Sequence, residues 1–154
     1  MTYSKWQDYM RKKTDELPVF FAFSKDQFRR EMEKRGLTEN DTDRICRFGG
    51  FGFYLKEDSQ AIADWINDSC MLKTYMKDPA FAEDAFYYEM CNHEYGINSQ
   101  GEWDVCQCFG ECEYGYGKNA ADYLTEIGFG ADIIHAYKKA EHRYYQDAIE
   151  QEWF

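Results

Sequence analysis

Apolar positions recur every three or four residues over five long stretches and switch to shorter periods between them. Trp6, Met10, Lys13 and Leu17 fall at helical steps behind a cap at Thr2 or Ser4, with Ser4 and Gln7 in capping-box spacing, and Pro18 ends that helix. Val19 to Phe23 is a continuous apolar run that predicts a buried strand. Ser24 and Gln27 repeat the capping pattern before a helix with Phe28 and Met32, stopped by Gly36. Residues 44–48 and 51–55 flank Gly49-Gly50 and predict an antiparallel hairpin with Phe48 opposite Phe51 and Cys46 opposite Phe53.

Asp58 or Ser59 begins the next helix, which carries Ile62, Trp65, Ile66 and Met76. Asp78-Pro79 is a strong helix start, with the helix expected to reach Gly96. Trp103, Val105, Gln107 and Phe109 alternate with Asp104, Cys106 and Cys108, as in a fourth strand. A short helix then runs from Asn119 to Ile127, and a final one carries Ile133, Ile134, Tyr137, Ala140, Tyr144 and Ala148 at steps of three and four. The expectation is one α+β domain over residues 1–154, with an antiparallel sheet of about four strands covered by helices, ferredoxin-like with an inserted helix.

Charge divides the chain. Residues 1–56 hold 12 bases and 9 acids, whereas residues 57–154 hold 6 bases and 20 acids. Nine acids and no Lys or Arg lie between Lys77 and Lys118. Interleaved with Tyr87 and Tyr88, the carboxylates Glu83, Asp84, Glu89, Glu94, Glu102 and Asp104 predict an acidic, Tyr-rich surface suited to a basic protein partner.

Three chemistries compete with that reading. Gly50-Phe51-Gly52-Phe53 matches four positions of the aromatic octapeptide of RNA-recognition domains, which would make Phe51 and Phe53 a base-stacking platform. Gly49, Tyr54 and Lys56 depart from that pattern, and a net charge of -11 opposes phosphate binding. Cys91, Cys106, Cys108 and Cys112 form a candidate zinc set, which would make the chain a zinc-stabilised or redox-active domain; on a strand Cys106 and Cys108 would share a face, with Cys112 returning after Gly110. On a helix only one of Cys91 and His93 can join them. A nucleophilic pair of His93 with Cys91 or Cys112 is the third. Against all of these, buried cysteines are ordinarily small apolar fillers.

The longest apolar run is too short to cross a bilayer, and the start MTYSKWQDYMRKK has charges where a secretion signal needs an apolar core. A cytoplasmic protein with reduced cysteines is expected.

The segments FFAFSKDQF, FGGFGFYL, DPAFAEDAFYYEMCNHEYGI and GEWDVCQCFGECEYG resemble a small uncharacterised family associated with bacterial phages and other mobile elements. That resemblance implies a setting rich in antagonists of host defence, including anti-CRISPR proteins, and it brings no catalytic residues. Combined with the acidic stretch, the expectation is a non-enzymatic inhibitor of a nucleic-acid-handling enzyme such as an RNA-guided nuclease, whose guide and target channel is basic.

Overall fold

The computed structural model describes residues 1–153 and is α+β, with three strands and seven α-helices among those residues. In chain order these are α1 (Tyr3–Asp15), β1 (Val19–Phe21), α2 (Lys25–Lys34), β2 (Ile45–Phe48), β3 (Gly52–Leu55) and α3 (Ser59–Tyr75). They are followed by α4 (Pro79–Asn92), α5 (Gly101–Cys106), α6 (Ala120–Ile127) and α7 (Ala131–Glu150). The chain divides into two compact units, Met10–Ser69 and a second made of Met1–Tyr9 with everything from Cys70 onward. The boundaries fall inside α1 and α3.

Met10–Ser69 carries the sheet, in the order β1-β3-β2 with both pairings antiparallel. β1 stops at Phe21 and is an edge strand, so of the run expected to be buried through Phe23 only Phe20 and Ala22 are buried, while Phe21 and Phe23 are exposed. Its core is aromatic: Phe20 stacks on Phe53 at 5.6 Å, Phe28 meets Phe53 at 5.2 Å and Phe48 meets Trp65 at 5.7 Å. The Arg35 guanidinium lies 3.9 Å above the Phe20 ring.

The hairpin differs from its expected register by one position. Phe48 pairs with Gly52, Arg47 with Phe53 and Cys46 with Tyr54, so the loop has three residues, Gly49, Gly50 and Phe51. Gly49 sits at φ +68°, the left-handed conformation that glycine tolerates. A single-residue shift sends side chains to the opposite face. Phe51 is therefore carried into the loop, 58% exposed and 5.2 Å from the ring of the exposed Phe23, while Phe53 stays on the inner side.

The larger unit is helical. α4 packs along α7, and between them Phe86 is wholly buried against Tyr137 at 5.0 Å and Phe109 at 5.2 Å. Asp78 caps α4 by accepting from the Ala80 N–H, as the Asp-Pro start predicts. The helix ends at Asn92, short of Gly96, because Glu94 turns to φ +50° and the Tyr95 N–H closes back on the Met90 carbonyl.

Residues 103–109 are helical, not a fourth strand: α5 is followed by a tight turn of 3-10 helix at Gln107–Phe109. Their apolar positions fit both periods. The buried set is Val105, Cys106 and Phe109, which is helical spacing, and without this strand the ferredoxin-like order is not formed by the described residues.

Candidate functional site

Two groups of chemically active side chains stand out, both in the larger unit. The first is a cleft of about 430 Å³ built by the end of the α4–α5 connection, α5, the 114–118 loop and α7. Its walls include Tyr95, Trp103, Tyr114, Tyr116, Tyr123 and Tyr145, and its acidic groups are Glu102 and Glu141. Gly101 opens α5 hard against Tyr95, where an added Cβ would lie 3.0 Å from the ring. This close approach is what brings Glu102 to the cleft wall.

The loop EYGYGK is pinned rather than loose. Lys118 donates to Glu126 at 2.7 Å and to the Glu113 carbonyl at 2.9 Å, and its ammonium stands 4.9 Å from the Tyr123 ring centre. Tyr123 exchanges hydrogen bonds with the Gly115 backbone, donating to its carbonyl and accepting from its N–H. Asn119 and Asp122 form the capping box that starts α6 directly after the loop. These ties hold Tyr114 and the fully exposed Tyr116 at the rim.

On the opposite wall a buried relay fixes Glu141: the Tyr137 hydroxyl donates to Tyr95 at 3.1 Å, and Tyr95 donates to Glu141 Oε2 at 2.5 Å. Burial first, and the Glu141 carboxylate second, push the Tyr95 hydroxyl well above the usual phenol range, so it stays a donor. Glu102 is raised above the ordinary carboxylate range, chiefly by burial and then by the charges of Glu141 and Asp122. Neither Glu102 nor Glu141 has an ion-pair partner among the described residues. The cleft's own cation, Lys118, is committed to Glu126, so two carboxylates set among aromatic rings are left to favour a positively charged ligand.

The second group is centred on Glu89, a carboxylate only 5% exposed. Its Oε1 accepts from the Tyr3 hydroxyl at 2.7 Å. Its Oε2 lies 3.3 Å from His93 Nε2 and 3.7 Å from Cys108 Sγ, and Cys108 Sγ is 3.5 Å from His93 Nε2. Glu89 and His93 are four residues apart on α4 and so share a face; Cys108 arrives from the turn after α5. Burial, followed by the nearby Glu89 charge, pushes the Cys108 thiol up to about 12. A resting thiolate nucleophile is not what these three groups make.

The acidic residues expected to form one surface are put to separate uses. Glu89 is in the buried cluster, and Asp84 accepts from the Tyr3 N–H at 3.0 Å, satisfying the first turn of α1. Glu83 stands 4.0 Å from Lys139. Asp104 accepts from Asn98 at 2.7 Å and from Gln107 at 3.2 Å. Tyr87 donates to Asp147 beneath the Arg143 guanidinium, Tyr88 sets its edge against Tyr3 and Glu94 is exposed at the end of α4. Of the expected set only Glu102 lines the cleft, joined by Glu141, Tyr114, Tyr116 and Tyr145; the tyrosines of EYGYGK were the available sign.

The expected four-cysteine set does not assemble among the described residues: only Cys108 joins a potential ligand group, with Glu89 and His93. On helical backbone Cys106 and Cys108 diverge by about 200°, which sends Cys106 into the core with no exposure. Cys91 lies beside Tyr87, Arg143 and Asp147, and Cys112 near Glu126 and Lys118, so neither pairs with His93. Phe51 and Phe53 do not form a shared stacking platform either, since they belong to different ring groups.

Residues 2–110 match the model of a family of unknown function (DUF7659), and the chain belongs to that family. No curated protein and no solved structure gives a significant match. The matched segment holds Tyr3, Glu89, His93 and Cys108 entire, while the cleft draws on it for Glu102 and on the following residues for Glu141 and the loop tyrosines. No helix of the described residues is long and apolar enough to cross a membrane.

Proposed function

We propose that this member of a family without an assigned function is a binding protein whose cleft captures a cationic side chain presented by a basic partner protein. The observation that carries this reading is the pair Glu102 and Glu141, without an ion-pair partner among the described residues and set among aromatic rings, while the cleft's Lys118 is held by Glu126 over the Tyr123 ring. A Lys or Arg side chain entering there gains charge-assisted hydrogen bonds and the faces of the tyrosine rings. The volume suits one side chain with its neighbours and not a duplex or an extended base stack.

The partner class follows from charge. An acidic protein is drawn by long-range attraction to proteins with basic grooves, and enzymes that handle nucleic acids are the main holders of such grooves. A defence enzyme of the RNA-guided type, antagonised by occupation of its basic channel, is the partner we propose to test first, as the resemblance to phage and mobile-element proteins implies.

Titration calorimetry with short arginine-rich, lysine-rich and glutamate-rich peptides tests the site without knowledge of the partner. Binding of the cationic peptides that weakens as salt rises, with none for the acidic one, is the expected result. Equal heats for all three, or none for any, would remove the cleft as a cation site. Capture from a nuclease-treated bacterial lysate, which breaks contacts bridged by nucleic acid, then addresses the partner.

A further inference from the structure

We propose that Glu89, His93 and Cys108 form a binding site for a zinc-class divalent metal ion, with the fourth coordination position open. With bonds of about 2.05 Å to imidazole nitrogen, 2.1 Å to carboxylate oxygen and 2.3 Å to sulfur, the edges of a zinc tetrahedron are about 3.4 Å for N to O and about 3.6 Å for S to N and S to O. The observed edges are 3.3 Å between His93 Nε2 and Glu89 Oε2, 3.5 Å between Cys108 Sγ and His93 Nε2, and 3.7 Å between Cys108 Sγ and Glu89 Oε2. The three donors thus outline one face of that tetrahedron within about 0.1 Å per edge.

The surroundings match what holds a metal ligand in place. The Tyr3 hydroxyl donates to Oε1 of Glu89 and itself accepts from the Gln7 amide at 2.5 Å, which leaves Oε2 turned toward His93 and Cys108. Asn92 adds a contact to Oε2 at 3.3 Å. Such outer partners fix the orientation of a ligating carboxylate. Glu89 is buried, whereas the His93 side chain is 31% exposed and provides the way in from solvent.

The donor set selects the ion. A thiolate with an imidazole and a single carboxylate favours zinc and its neighbours over calcium or magnesium, which take oxygen ligands. On coordination the Cys108 thiol gives its proton to solvent and the sulfur forms the bond to the metal; no oxidation is involved. Three protein ligands with one open position is the arrangement of metal centres that bind a water or an exogenous base, and structural zinc sites close all four.

The test uses the full chain, reduced, freed of metal with a chelator and titrated with cobalt(II), then with zinc. One cobalt per chain is expected, with tetrahedral ligand-field bands and a thiolate-to-cobalt charge-transfer band, all displaced by zinc. Cys108→Ser removes the charge-transfer band, and His93→Ala weakens binding by on the order of 100-fold or more, since even outer partners contribute 10–100-fold. Cys112→Ser changes neither. Should Cys108→Ser fail to fold, His93→Ala decides the matter, because its partly exposed ring can be removed with the circular dichroism intact. Absence of cobalt bands in the unaltered protein, retention of full affinity in a folded His93→Ala, or transfer of the effect to Cys112→Ser overturns the assignment.

Discussion

Phe86→Ala is expected to lower the stability of the larger unit by about 3–5 kcal/mol. Phe86 has no exposure and is held edge-on by Tyr137 and Phe109, so its removal takes away the transfer free energy of a ring and leaves a cavity between α4 and α7. Those neighbours have little freedom to collapse into it. The Tyr137 hydroxyl is committed to Tyr95, and Phe109 packs against Tyr3 at 5.7 Å. Domains are commonly stable by only about 5–15 kcal/mol, so a loss of this size approaches unfolding. Urea denaturation followed by circular dichroism measures it. The control Tyr116→Ala, at a fully exposed ring, is expected within about 0.5 kcal/mol of the unaltered protein. A loss below about 1 kcal/mol for Phe86→Ala would contradict the packing described for α4 and α7.

Gly52→Ala is the second large effect and strikes the other unit. Gly52 lies on the central strand, paired with Phe48 on one side and Phe21 on the other. A Cβ there would stand 2.1 Å from the Phe48 carbonyl oxygen and 3.1 Å from the Phe21 ring. The obstacle is backbone, so relief requires opening the hairpin at its closing pair. A cost of about 3 kcal/mol is expected. Urea denaturation of the variant measures the loss, which reaches Trp65 through its contact with Phe48. Gly50→Ala, with nothing within 4 Å of the added methyl, is the control and is expected to be near neutral. If the two variants behaved alike, the tight hairpin closure would be wrong.

The same glycines show where sequence reasoning succeeds and where it stops. Helix starts marked by capping chemistry were legible: Ser24 accepts from the Gln27 N–H, Asp78 from Ala80, and Asn119 exchanges with Asp122. Those bonds are local. The hairpin was legible as an element but not in register, because Gly49-Gly50 fits a two-residue loop as well as the first part of the three-residue loop observed. Residues 103–109 defeated the pattern because Val105 and Phe109 satisfy period two and a four-residue helical step at once, and a run of seven residues cannot separate them.

The candidate sites were legible in composition rather than arrangement. The acidic and tyrosine-rich character of the second part of the chain was plain, yet the pairing of Glu102 with Glu141 depends on how α5 meets α7. His93 and Cys108 were both visible as metal-ligand types. Glu89 was grouped with the surface acids, since nothing local distinguishes a carboxylate that a distant Tyr3 hydroxyl draws into the interior.

The charge on Glu102 bears on the fold as well as on the cleft. Its raised folded-state pKa means that the native protein holds the carboxyl proton more tightly than the unfolded chain. The contribution of Glu102 to stability therefore falls as pH rises from the ordinary carboxylate range through its folded pKa, and at neutral pH its charge opposes folding. Glu102→Gln retains an oxygen to accept from the Ala120 backbone while removing that charge.

The most direct measurement compares Glu102→Gln with the unaltered protein at neutral pH, by thermal melting and by calorimetric titration with an arginine-rich peptide. An unchanged or higher melting temperature together with a loss of affinity on the order of tenfold or more is the predicted result. A lower melting temperature with undiminished affinity would contradict it, for Glu102 would then serve the fold and not a cationic ligand.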